Sequence, residues 1–135
     1  MSASVGGAEL CGLVARLNQR MDSHVRGVAD ALGITASQAI ALREMSEPIT
    51  LTELADRMSC EASNAGYVID RMEKQGLVRR QPHPTDRRAK ILTLTEDGQG
   101  CRSNVLDALS REAPIDVLSD DEQRALAELL RKATS

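Results

Sequence analysis

Residues 50–98 read TLTELADRMSCEASNAGYVIDRMEKQGLVRRQPHPTDRRAKILTLTEDG, and this stretch decides the fold. Thr50-Leu51-Thr52-Glu53 sets a hydroxyl three residues ahead of a carboxylate, the capping-box pattern that starts a helix. Leu51, Leu54, Ala55 and Met58 then fall on one face of a short helix. Ser59 to Ala62 supplies a turn. A further helix, from about residue 62 to 75, places Ala65, Val68, Ile69 and Met72 in a buried stripe, and Gly76 ends it. Helix, short turn, helix is the helix-turn-helix arrangement. Residues 77–81 are short and extended, and Pro82-His83-Pro84-Thr85-Asp86 is turn chemistry. Residues 89–95 alternate Lys90, Leu92 and Leu94 against Ala89, Ile91 and Thr93, as a half-buried strand does. Two strands around a charged loop, directly after a helix-turn-helix, form a hairpin of the kind called a wing.

Outward from this stretch the pattern is helical. Leu10, Leu13, Val14, Leu17, Met21, Val25, Val28 and Leu32 recur at spacings of three and four, which predicts an amphipathic helix over residues 8–32, closed by Gly33. Thr35 and Gln38 form another capping box, opening a helix that reaches about Ser46 before Pro48. Thr95 caps a fifth helix, with Glu96 and Asp97 at its positive end, apolar groups at Cys101, Val105, Ala108 and Leu109, and Pro114 as its breaker. Ser119-Asp120-Asp121-Glu122 starts a last helix bearing Leu126, Leu129 and Leu130. The expected fold class is mainly α with a small β-hairpin. In a single domain over residues 1–135, a winged helix-turn-helix lobe over 35–95 is flanked by dimerisation helices over 8–32 and 96–133. These outer helices carry more apolar stripe than a small lobe can cover, so a homodimer is expected.

The 135-residue chain is formally −3 in charge, and its aromatic rings reduce to Tyr67. That near-absence excludes sites that stack several bases on rings, as most single-stranded nucleic-acid modules do. From Arg71 to Leu94, however, seven cations (Arg71, Lys74, Arg79, Arg80, Arg87, Arg88, Lys90) face two anions (Glu73, Asp86), and from Glu96 onward acids are frequent. A basic island in an acidic chain is a sharper sign of nucleic acid than net charge. Cys11, Cys60 and Cys101 are widely spaced and odd in number, so no disulfide framework is expected and a cytoplasmic setting fits. Residues 1–7 lack the basic and apolar regions of a signal peptide, and no apolar run approaches membrane-spanning length.

The helix over 62–75 has a second, polar face. Ser63 and Asn64 near its start suit base edges in a major groove, Asn being able to pair bidentately with adenine. Gly66 permits close approach, Tyr67 can donate to a phosphate or lie on a thymine methyl, and Arg71 and Lys74 suit phosphates. At the wing, Arg87 and Arg88 can reach a minor groove, and Arg80 joins the basic set. Asp86 is expected to pair with Arg87, Arg88 or Arg80 and hold the hairpin tip in shape.

These pieces, in order, resemble the core of the MarR family of regulators. Leu51-Thr52-Glu53-Leu54-Ala55 is similar to the opening of that family's helix-turn-helix, and Asp70-Arg71-Met72-Glu73-Lys74-Gln75-Gly76-Leu77-Val78 to the end of its recognition helix and first wing strand. Pro84-Thr85-Asp86-Arg87-Arg88-Ala89 is similar to the wing signature, and Leu94-Thr95-Glu96-Asp97-Gly98 to the exit into the fifth helix. The resemblance departs at Tyr67, where many members carry a cation, and at Glu61, where a Ser or Asp cap is usual. It implies a homodimer whose outer helices intertwine, double-stranded DNA with a pseudo-palindromic operator as partner, a repressor role, and a small-molecule effector bound in a mainly aliphatic site. Some members sense oxidants through a first-helix cysteine, and Cys11 lies in that region. Cys60 and Cys101 are expected to fill core space.

Two other classes make different demands on the sequence. A winged-helix module for protein–protein contact would keep the fold and lose the basic wing. An enzyme would need a phosphate loop, a nucleophile motif or carboxylates paired in an apolar setting, and none is present. No cofactor is expected, and His24 and His83 stand too far apart in sequence to suggest a metal site.

Overall fold

The computed structural model describes residues 4–135, so the first three residues of the N-terminal segment lie outside the described residues. The elements are α1 (Gly7–Leu32), α2 (Ala36–Glu44), β1 (Ile49–Thr50), α3 (Leu51–Arg57), α4 (Ala62–Lys74), β2 (Val78–Pro82), β3 (Lys90–Leu94), α5 (Glu96–Leu109), a 3-10 turn (Pro114–Val117) and α6 (Asp120–Thr134). They form two compact units, one of residues 25–110 and one combining the chain up to residue 24 with 111–135. The first unit is longer at both ends than the 35–95 lobe expected from sequence, because the end of α1 and all of α5 pack into its core.

That core gathers Leu42 from α2, Leu54 from α3, Ile69 and Met72 from α4, Leu92 from β3 and Val105 from α5. α1 contributes Val25 and Ala29. Ile49 is 1% exposed and pairs with Leu92, so Ile49–Thr50 forms a third strand that its shortness hid in the sequence. The sheet order is β1-β3-β2, all antiparallel.

The helix ends follow local chemistry. Thr35 accepts from the Gln38 N–H and Gln38 Oε1 from the Thr35 N–H, a complete capping box. Gln38 is also the one buried polar side chain among the described residues, and its Nε2 donates to Gln75 Oε1 at 2.6 Å, tying the start of α2 to the end of α4. α2 stops at Glu44, short of the expected Ser46, with Met45 buried as its cap. Thr50 caps α3 as expected, but Glu53 accepts from the Thr50 hydroxyl and not from its backbone N–H, which leaves the box half-made in a residue that also ends β1. Arg102 on α5 donates to the Leu42 and Arg43 carbonyls, satisfying the last turn of α2. In the other unit, Ser119 and Glu122 form the third box, and the Ser119 backbone N–H holds the Glu122 carboxyl below its usual range.

The hairpin is locked to the helices at one joint. Gly76 takes φ +77°, which lets Leu77 N–H close α4 on the Met72 carbonyl. Thr95 then donates its N–H to Leu77 O at 3.0 Å and its hydroxyl to Gly76 O at 2.6 Å, while accepting from Gly98 N–H. A Cβ on Gly98 would lie 2.0 Å from Leu77 O, so only glycine lets the first turn of α5 sit against that carbonyl. Gly98→Ala is therefore expected to cost roughly 2–3 kcal/mol through forced displacement of backbone. Urea unfolding checks this; a loss below about 1 kcal/mol would mean the joint is softer than described.

Candidate nucleic-acid interface

α3 and α4 meet at a sharp corner. Ser59 adopts φ +55°, and Cys60 N–H closes the end of α3 on the Ala55 carbonyl at 3.0 Å. α4 then begins with Glu61 as its N-cap, which makes no side-chain cap bond. Cys60 does not join the core as expected. It is half-buried and lines an open groove at this corner with Asp56, Glu61 and Asn64. Cys101 does pack against the core.

Along α4, Ala65, Ile69 and Met72 are fully buried and Val68 packs beside them, so the polar face is turned outward. Ser63, Asn64, Arg71 and Lys74 are exposed, and Tyr67 stands 76% exposed. Gly66 is half-exposed, and a Cβ there would only touch Leu51 Cδ2 at an ordinary 3.8 Å. Nothing inside the lobe requires a glycine at this position.

The hairpin sorts its cations by register. Directly paired residues of an antiparallel ladder share a face. Val78 pairs with Leu94 and Arg80 with Leu92, so Arg80 lies on the face that carries buried Val78 and Leu92. Its guanidinium reaches α4, where Nη2 binds Asp70 Oδ1 and Nε lies 3.6 Å from Glu73 Oε1. The sequence groups Arg80 with the duplex contacts; the structure commits it to two carboxylates of the neighbouring helix. Arg79 pairs with Thr93 on the opposite face. Arg71, Lys74, Arg79, Arg87, Arg88 and Lys90 make no ion pair among the described residues.

The wing loop is built differently from the sequence expectation. Asp86 pairs with no arginine side chain; its Oδ1 accepts the Arg88 backbone N–H at 3.0 Å. His83 Nδ1 accepts the N–H groups of Thr85 and Asp86 at 3.1 and 3.0 Å, and His83 N–H itself donates to the Ala89 carbonyl. His83 therefore organises the turn, a role the sequence reading missed. The only available signal was its position at the head of a Pro-Thr-Asp turn. With these backbone donors satisfied internally, the side chains of Arg87 and Arg88 project from a shaped loop.

A helix-turn-helix whose second helix exposes short polar and cationic groups, followed by a hairpin with free arginines, defines a winged helix-turn-helix protein. The family model described as "MarR family" matches residues 34–90. The organic hydroperoxide resistance transcriptional regulator of Bacillus subtilis is 30% identical over 101 residues, covering 73% of this chain and 69% of that protein. The chain belongs to the MarR family. A cysteine-to-serine mutant of MarR from E. coli, solved in complex with operator DNA, superposes with a TM-score of 0.71 at 27% identity, over 93% of this chain and 94% of that one. NadR in complex with 4-hydroxyphenylacetate superposes with a TM-score of 0.80 at 21% identity, over 98% and 96% of the two chains.

An interior helical glycine costs stability without returning packing where space is open. Gly66→Ala is accordingly expected to raise the unfolding free energy by roughly 0.5–1 kcal/mol. Chemical denaturation measures it, and a loss of stability would show that the lobe does require glycine there.

Proposed function

We propose that this chain is a sequence-specific regulator of transcription, a repressor that binds double-stranded DNA as a homodimer on a pseudo-palindromic operator. The observation that carries the reading is the division of charge in the lobe. Six cations on α4 and the hairpin have no ion-pair partner among the described residues, beside short polar groups on the same helix. Ser63 and Asn64 are assigned to base edges, Tyr67, Arg71 and Lys74 to backbone and methyl contacts, and Arg87 and Arg88 to the minor groove. Gly66, unneeded by the fold, serves close approach to the duplex, so its alanine variant weakens binding even as it steadies the lobe. The operator complex of the E. coli relative supports the same partner.

The dimer reading rests on apolar surface. Leu10, Leu13 and Val14 of α1 and Leu129 and Leu130 of α6 are each at least 42% exposed in the single chain, more than isolated surface residues explain. We also assign an effector, a small apolar acid. An open cleft of 370 Å³ is lined by aliphatic groups including Leu13, Leu17, Ile115, Leu118 and Leu126, together with Arg16 and Arg20. The rival, a winged-helix protein–protein module, has no use for the unpaired cations.

Selection of duplexes from a random pool tests the reading, with recovery of a twofold-symmetric site expected. Arg88→Ala should lower affinity for that site and reduce the slope of log K against log salt by about one, with stability unchanged within about 0.5 kcal/mol. A dimer indifferent to DNA at low salt would decide for the protein–protein module.

A second reading, redox control, is favoured by the name of the B. subtilis relative and by the exposure of Cys11 on α1. A hydroperoxide would oxidise the Cys11 thiol to a sulfenic acid and leave as the alcohol. Release of DNA by an organic hydroperoxide, abolished in Cys11→Ser, is the expected result. Release that persists in Cys11→Ser would remove this residue from the mechanism.

A further inference from the structure

We propose that Arg80 is a positioning residue that fixes the hairpin against α4 and thereby sets operator discrimination, without itself contacting DNA. The proposal rests on the preceding assignment of α4 and the hairpin to a duplex. Its basis is where β2 loses its apolar anchorage. Val78 is the last buried residue of that strand, and the four that follow are exposed. Residues on the inner face alternate, so Arg80 is the next side chain after Val78 to point toward the helices. At that level β3 still places Leu92 in the core, but β2 itself contributes no buried side chain. It meets Asp70 and Glu73, one helical turn apart on α4 and both on the side that Arg80 reaches.

A guanidinium suits this place because its planar fork can engage two carboxylates at once, which a point charge does less well. The Arg80 side chain is 33% exposed and its partners 58% and 45%, so the link is partly shielded but not buried. The three groups together carry one net negative charge. They add no positive potential to the surface, so a phosphate approaching Arg80 would meet two carboxylates beside it. The link instead constrains the hairpin, and with it the distance from Arg87 and Arg88 to Ser63, Asn64 and Tyr67. A fixed separation matters when two grooves are read together, because a misplaced wing loses base readout while retaining attraction to phosphates.

Two measurements on the full chain decide this. In the first, Arg80→Gln and Arg80→Lys are titrated with the selected operator and a random duplex at several salt concentrations. Operator affinity is expected to fall on the order of tenfold in Arg80→Gln and partway in Arg80→Lys. Random-duplex affinity and the salt slope stay as in the wild type. A slope reduced by about one, with equal losses on both duplexes, would make Arg80 a phosphate contact and overturn the proposal. Unchanged affinity for both duplexes would overturn it as well.

The second measurement needs no DNA. Arg80→Gln, the Asp70→Asn/Glu73→Gln pair and the triple variant are compared by thermal unfolding. Each of the first two is expected to lower Tm by roughly 2–4 °C, with the triple variant no lower than either, because one linkage is lost in all three. Additive losses would show that the groups are not coupled and overturn the proposal. If the wild-type protein binds no duplex, the preceding functional reading fails, and this cycle still decides whether Arg80 holds the hairpin to α4.

Discussion

The wing can act with the recognition helix only because α5 begins against the strand that leaves α4. A glycine at position 98 brings the first turn of α5 onto the Leu77 carbonyl, and Thr95 bonds backward to Gly76 and Leu77 and forward to Gly98. Three segments, the end of α4, the root of β2 and the start of α5, are thus joined through a few backbone groups and one hydroxyl. Backbone hydrogen bonds at a close approach are stiff, since little can move without orphaning a donor or acceptor. The direction in which β2 and β3 leave the lobe therefore starts from this joint.

From that root outward, the source of order changes. Val78, Leu92 and Leu94 anchor the base of the hairpin in apolar contact. On β2, level with Leu92, the Arg80 link to Asp70 and Glu73 takes over from Val78, and at the tip His83 and Asp86 satisfy backbone donors. The order thus passes from apolar contact to an ion pair to hydrogen bonds within the loop. The side chains of Arg87 and Arg88 are left without ion-pair partners among the described residues, while the backbone that carries them is still shaped.

Two helical glycines of the lobe, Gly66 and Gly98, show how the same residue type answers to different demands. At Gly98 the fold forbids a side chain; at Gly66 it has room for one. An interior glycine that packing does not require is a cost to α4, and the exposed groups around it, Ser63, Tyr67 and Arg71, place that cost on the face assigned to DNA. The unit formed by the chain termini makes a comparable concession. It leaves leucine side chains of α1 and α6 exposed in the single chain, the surface on which the proposed dimer rests.

By itself the sequence determined the helices, their caps, the helix-turn-helix and the hairpin. Those features depend on neighbours three or four residues apart, or on strict alternation, and such local rules are written in order along the chain. The family resemblance followed from the same stretch. It also marked the outward face of α4, because a helix with Ala65, Ile69 and Met72 on one side must present Ser63, Tyr67 and Arg71 on the other. Only the tertiary structure decided which cations are free. Arg80 and Arg79 are adjacent and chemically identical, and they differ only because strand register turns one toward Asp70 and Glu73 and the other away. The strand Ile49–Thr50 and the necessity of Gly98 were equally invisible, each depending on a group far along the chain, Leu92 and Leu77.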